Sequence, residues 1–233
     1  MDAEFLNTAI QKEISYQDIN IMTYQWKGTK ETILLVHGWE SNTSRWKKLI
    51  GILKNLDYNI ITLDAPAHGK SGSTLFNAIL YSECIHEVAK KVNPKIIIGH
   101  SVGGIATVLS QFKYNLTSVE KLVLLGAPSN FEGIFKRYKI MMRYNKKVSN
   151  GIDQFVLDRF GHLPNYYHIK NFSTNILSKG LIIHDEEDHI IPYSDALDYQ
   201  EHYKNVRLIS TLGLGHGLKS KEINEHILDF INQ

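Results

Sequence analysis

The residues able to do chemistry sit in short glycine-bounded stretches. The first is Gly99-His100-Ser101-Val102-Gly103, a serine with a glycine two residues to either side. A serine hydroxyl is a weak nucleophile at neutral pH, so it needs a base within hydrogen-bond reach and an acid that orients the base. The candidate base is His216 in Gly213-Leu214-Gly215-His216-Gly217, and the candidate acid is Asp188 in His184-Asp185-Glu186-Glu187-Asp188-His189-Ile190-Ile191-Pro192. Asp185, Glu186 and Glu187 compete for the acid role, and His189 is the rival histidine. Attack on an acyl carbon also requires donors for the oxyanion. The backbone N–H groups of Val102 and of Trp39, in His37-Gly38-Trp39, are the candidates. The Trp39 indole either walls an acyl pocket or packs in the core, and His37 reads as a structural hydrogen-bonding residue. No H-x-x-x-H or Cys-His cluster supports a zinc site, and no cofactor signature is present.

Each stretch requires an element that ends where its chemistry begins. Ile96-Ile97-Ile98 precedes the serine, and Ile105, Val108, Leu109 and Phe112 recur after it at helical spacing, which gives strand, sharp turn, helix. That turn displays Ser101, with the positive end of the helix beside it. The run Thr32–Val36 is apolar throughout, as a strand buried on both faces must be. Strands are also expected at 21–26, 59–63, 121–125, 180–184 and 206–211, with a short edge strand before Asp18. Helical spacing marks Trp46, Leu49, Ile50 and Leu53, with Ser44 as N-cap. It also marks Ile85, Val88, Ala89 and Val92, closed by Pro94, and finally Ile223, Ile227 and Ile231. Alternating strands and helices predict a mostly parallel central sheet flanked by helices.

At 233 residues the chain suits one domain. The net charge of +2 gives no case for nucleic acid as a partner, and one cysteine, Cys84, excludes an internal disulfide and reads as a buried hydrophobe. The N-terminus lacks a basic flank and an apolar core, and no apolar run is long enough to span a membrane. A cytoplasmic protein is the expectation. One departure from alternation remains, between Ala127 and Lys179, too long for an ordinary connection. We expect a helical lid over 129–178 inserted into a core formed by 1–128 and 179–233. The lid carries eight basic residues against three acidic, which leaves about −3 for the rest of the chain. A solvated helical face accounts for that charge, as does a preference for anionic substrates.

Taken together these stretches resemble the α/β-hydrolase superfamily over nearly the whole chain. His37-Gly38-Trp39 is similar to its oxyanion loop, Asp64-Ala65-Pro66-Ala67-His68-Gly69-Lys70-Ser71 to its D-x-P-x-H-G-x-S turn, and Gly99–Gly103 to its nucleophile elbow. His184–Pro192 resembles its acid segment, with Asp185 where glycine is usual, and Gly215-His216-Gly217 its histidine loop. The resemblance implies an α/β-hydrolase fold with a serine at the elbow. Ser101, His216 and Asp188 would be catalytic, and Trp39 and Val102 would hold the oxyanion. Trp39, His100, Phe131, Phe135 and Tyr138 are the candidate substrate contacts, with Met141 and Met142 also bearing on pocket size. It implies no cofactor or metal and a small-molecule acyl ester as substrate. Thioesters of the acyl-CoA type, or a binding protein that keeps the fold without turnover, are the alternatives. Oligomeric state is not readable.

Overall fold

The computed structural model describes residues 2–233, apart from the side chain of Thr174; Met1 of the N-terminal stretch lies outside the described residues. In chain order the strands are β1 (Ile10–Tyr16), β2 (Ile19–Trp26), β3 (Thr32–Val36), β4 (Asn59–Leu63), β5 (Ile96–His100), β6 (Lys121–Leu125), β7 (Lys179–Asp185) and β8 (Val206–Thr211). The α-helices are α1 (Ala3–Leu6), α2 (Lys47–Asn55), α3 (Ala78–Val92), α4 (Val102–Tyr114), α5 (Phe131–Met141), α6 (Lys146–Phe160), α7 (Ile169–Phe172), α8 (Ser194–His202) and α9 (Lys221–Ile231). One eight-stranded sheet runs in the order β1-β2-β4-β3-β5-β6-β7-β8. β1 and β2 are antiparallel to their neighbours, and β4 through β8 form a parallel block.

The apolar runs are continuous because alternate side chains enter different cores. Leu34 and Val36 of β3 join Ile97, Leu122, Leu124 and Ile182 in a cluster under α3, α4 and α8. Ile33 and Leu35 join Ile96, Ile98, Val123 and Ile183 in the opposite cluster, under α2 and α9. Each such side chain contributes roughly 1.5–3 kcal/mol when fully buried. Cys84 is buried in the first cluster.

One local expectation changes and two features are added. The helix before Leu49 opens with a 3-10 turn, Thr43–Trp46, capped by Asn42 in place of Ser44; the Asn42 side chain accepts from the Ser44 N–H, and the Ser44 hydroxyl accepts from Asp2 N–H. The second helix begins at Ala78, under an Asn77 cap. An unanticipated helix, α8, follows Pro192. Between β6 and β7 the chain runs through α5, α6, 3-10 turns and α7. No described helix is long and apolar enough to cross a membrane.

Candidate active site

The parallel block brings the carboxyl ends of β3, β5, β7 and β8 to one edge, and every candidate stretch leaves the sheet there. Ser101 follows β5 with φ +54° and ψ −129°. The turn is tight enough that a Cβ on Gly103 would stand 2.3 Å from the His37 carbonyl oxygen, and one on Gly99 2.8 Å from Gly104 Cα. The glycines at minus two and plus two are therefore required by close backbone approach.

The geometry brings Ser101, His216 and Asp188 into one chain of hydrogen bonds. Ser101 Oγ lies 2.9 Å from His216 Nε2, and His216 Nδ1 lies 2.7 Å from Asp188 Oδ2. Asp188 is held by its own loop: its Oδ1 accepts from the N–H groups of Ile190 and Ile191 at 2.8 and 2.9 Å. Burial acts to raise the Asp188 pKa, but His216 and these N–H groups outweigh it and hold the carboxyl below its ordinary range. Burial lowers the His184 pKa, and its Nε2 donates to the Ile191 carbonyl at 2.9 Å, which fixes the far side of the same loop.

The competing groups are placed elsewhere. Asp185 is fully buried, and its carboxylate accepts from Glu187 N–H, Thr211 Oγ1 and Leu214 N–H at 3.1, 2.8 and 2.9 Å. It builds the loop that carries His216. Glu186, Glu187 and His189 are exposed to solvent. His37 is buried, its Nε2 accepting from Ala65 N–H at 2.9 Å and its Nδ1 donating to the Gly38 carbonyl at 2.7 Å; burial pushes its pKa down to about 4. The Asp64–Ser71 turn locks the same loop from below. Asp64 accepts from Thr43 N–H, Lys70 N–H and Tyr24 OH, and His68 Nε2 accepts from Glu40 N–H.

This bracing fixes the backbone around Trp39. Gly38 lies against Ser101, since a Cβ there would be 2.9 Å from Ser101 Cβ. Neither Trp39 N–H nor Val102 N–H has a protein acceptor among the described residues. Val102 opens α4, where the helix dipole adds positive potential. Two free donors thus flank the serine.

A cavity of about 330 Å³ opens beside these donors, lined by Trp39, Val102, Phe131, Phe135 and Tyr138, and also by Phe76, Ile79, Ile134, Val156 and Phe160. Trp39 is 49% exposed and walls the cavity instead of packing in the core. Two expectations are corrected, and the open question of Met141 and Met142 is answered. Ser101 is only 6% exposed, so it is not displayed to bulk solvent; its chain neighbour Val102 lines the cavity. His100 is absent from the lining: it is buried, and its Nε2 donates to the His216 carbonyl at 2.9 Å, so it supports the histidine loop. Met141 and Met142 point to solvent. Arg45 was not anticipated at all; its Nη2 donates to the Gly217 carbonyl at 2.9 Å, and burial lowers its pKa to about 10. No motif announces it, because its contact joins residues 172 positions apart.

Asp198, Glu201 and His202 on α8 bring possible ligand atoms within 4.8 Å of one another. Asp198 already has the His202 and His168 ring nitrogens at 3.2 Å each, so contacts within the protein account for this cluster without a metal.

Residues 33–167 match the model of the Alpha/beta hydrolase family. Over 142 residues the chain is 25% identical to a Mycoplasma genitalium protein named "Putative esterase/lipase 2", a match covering 59% of this chain and 53% of that protein. An uncharacterized hydrolase of Bacillus subtilis is 26% identical over 89% of this chain and 92% of its own length. An esterase from Exiguobacterium antarcticum superposes with a TM-score of 0.75 at 17% identity, covering 96% of this chain and 100% of that one. The chain spans about half the length of the Mycoplasma relative.

Proposed function

The chain belongs to the alpha/beta hydrolase family, and from that premise we propose that it is a serine hydrolase that cleaves small to medium acyl esters through an acyl-enzyme intermediate. The observation that carries the reading is the relay from Asp188 through His216 to Ser101, at 2.7 and 2.9 Å, beside two free backbone N–H groups. His216 Nδ1–H donates to the Asp188 carboxylate, which leaves Nε2 as the acceptor for the serine proton. As Ser101 Oγ bonds to the acyl carbon, that proton passes to Nε2, and the imidazolium is stabilised by Asp188. The N–H groups of Trp39 and Val102 take the oxyanion. Collapse breaks the bond to the leaving alcohol, which departs with the proton from Nε2. Water then repeats the sequence on the acyl-enzyme and restores Ser101. The cavity supports an apolar acyl group, since the side chains around it are predominantly aromatic and aliphatic. Residues 129–178 serve as the cap that supplies Phe131, Ile134, Phe135, Tyr138, Val156 and Phe160 to its roof.

The test is labelling by a fluorophosphonate, with turnover of a chain-length series of p-nitrophenyl esters and acyl-CoAs alongside. Wild type should label and turn over, and Ser101→Ala should lose the label and at least about 10⁴-fold in kcat while keeping its melting temperature. An unlabelled, folded wild type would replace the enzyme by a binding protein. Preference for acyl-CoAs over esters of equal length would move the assignment to thioesters.

A further inference from the structure

The segment between Glu132 and Asp153 contains six basic residues, Lys136, Arg137, Lys139, Arg143, Lys146 and Lys147, and no acidic one. Two are neutralised. Arg137 lies 3.8 Å from Asp195, and Lys139 Nζ reaches both carboxylate oxygens of Asp153 at 2.7 and 2.9 Å. Lys136, Arg143, Lys146 and Lys147 have no acidic partner among the described residues.

Three of the unpaired cations, Arg143, Lys146 and Lys147, lie within a few residues of exposed apolar side chains. α5 ends at Met141 and α6 starts at Lys146, so the residues between and beside them share one end of a helical hairpin. Ile140, Met141, Met142 and Val148 are there, 67%, 62%, 46% and 42% exposed. Phe155, 60% exposed, continues the Val148 face two turns along α6. The local chemistry is also costly to the helix. Asn145 caps α6, which places Lys146 and Lys147 in its first turn, at the positive end of the dipole and with no acidic residue to offset them. A face that served only solubility would carry neither the apolar cluster nor cations where acids are favoured.

We propose that the tip of the α5–α6 hairpin docks the protein on an anionic lipid surface. Methionine and isoleucine enter the boundary between headgroups and chains while Arg143, Lys146 and Lys147 meet the lipid phosphates. The charge selects this occupant. A second copy on a two-fold axis would oppose like charges, and a soluble acidic partner would leave four large apolar side chains facing polar surface. The inner side of the same hairpin supplies Phe135, Tyr138 and Val156 to the cavity beside Ser101, so docking sets an apolar chain near the roof of that cavity. The docking itself does not depend on the proposed hydrolysis.

Flotation of the full-length protein with phosphatidylcholine vesicles, with and without phosphatidylglycerol, tests it. Ser101→Ala protein is run beside wild type to separate binding from catalysis. Binding should require phosphatidylglycerol and weaken with salt. Arg143→Glu/Lys146→Glu/Lys147→Glu should lower partitioning by at least roughly a hundredfold, at about fivefold for each cation lost. Met141→Ser/Met142→Ser should lower it too, with the salt dependence retained. All these side chains are exposed, so unchanged melting temperatures confirm intact folds. Equal binding to both vesicle types, no binding to either, or full binding by the charge-reversed variant overturns the proposal. A hairpin-dependent dimer in light scattering, or hairpin-dependent binding to polyglutamate with none to vesicles, overturns it equally.

Discussion

Asp185 and Asp188 are buried carboxylates three residues apart, and their hydrogen bonds give them different work. Asp188 points one oxygen at His216 and the other at its own loop; Asp185 gives nothing to His216 and ties Thr211 and Leu214 together. Asp188→Asn keeps the shape and loop contacts but disrupts the acceptor for Nδ1–H, so kcat should fall on the order of 10⁴-fold with melting little changed. Asp185→Ala takes the acceptor from the Glu187 and Leu214 N–H groups and the Thr211 hydroxyl, which are part-buried, so each loss costs at most about 1–3 kcal/mol. Its melting temperature should drop, with a much smaller loss of kcat in the folded fraction. Esterase kinetics beside thermal melts of the two variants check this, and an Asp185→Ala protein that melts normally but is as inactive as Asp188→Asn would exchange the roles. Sequence reasoning names both carboxylates because both lie just after an apolar run. The residues alone leave Asp185 in competition, and the choice of Asp188 rests on the family resemblance, because the physical difference is which atom each oxygen faces. His100 illustrates the same limit: its position beside Ser101 suggests substrate contact, yet the strand turns its ring under His216.

Elements were legible wherever one residue type served one purpose. β3, β4 and β6 have the expected bounds because strands inside a parallel block need apolar side chains on both faces, and such runs end where the backbone leaves the sheet; the edge strand β8, with no fully buried residue, keeps its expected bounds around Leu208 and Ile209. α8 was not legible. Its buried face is made of Asp195, Ala196 and Tyr199, a small, an acidic and a phenolic residue that give no apolar stripe. The cavity was only half legible for a related reason, as Phe76, Ile79, Val156 and Phe160 come from α6, α3 and the approach to α3, with no local motif to link them. Val156 is 3% exposed and roofs the cavity from α6. Val156→Trp would fill part of the roughly 330 Å³ from the α6 side. The expected result is a fall in kcat/KM for p-nitrophenyl octanoate of at least about tenfold, since several buried methylenes at about 0.8 kcal/mol each lose their place. Acetate hydrolysis should be nearly unchanged. Equal losses for both esters would mean that the acyl chain lies elsewhere.

At the scale of the molecule, the proposed 129–178 insertion is tied to α8 by contacts that include one buried carboxylate. Asp195 of α8 accepts from the Ser129 N–H at 3.3 Å, where the insertion begins, and lies 3.8 Å from the Arg137 guanidinium on α5. Burial raises its pKa from 3.8 to about 6, and Arg137 and the Ser129 N–H only partly offset the rise. A carboxyl whose folded pKa lies above its unfolded pKa binds more protons in the folded state between those values. Its contribution to stability therefore falls as pH rises from about 4 to about 6, by at most about 3 kcal/mol, and the full cost of ionisation remains at pH 7. Asp195→Asn keeps an acceptor for Ser129 N–H and cannot ionise. The variant should gain stability relative to wild type as pH increases across that window, with the difference levelling off above about pH 6. Urea melts of both proteins at intervals of pH give the difference directly. If the variant instead loses ground as pH rises, the Arg137 ion pair outweighs burial, and the ionised carboxylate is what holds the insertion against the sheet.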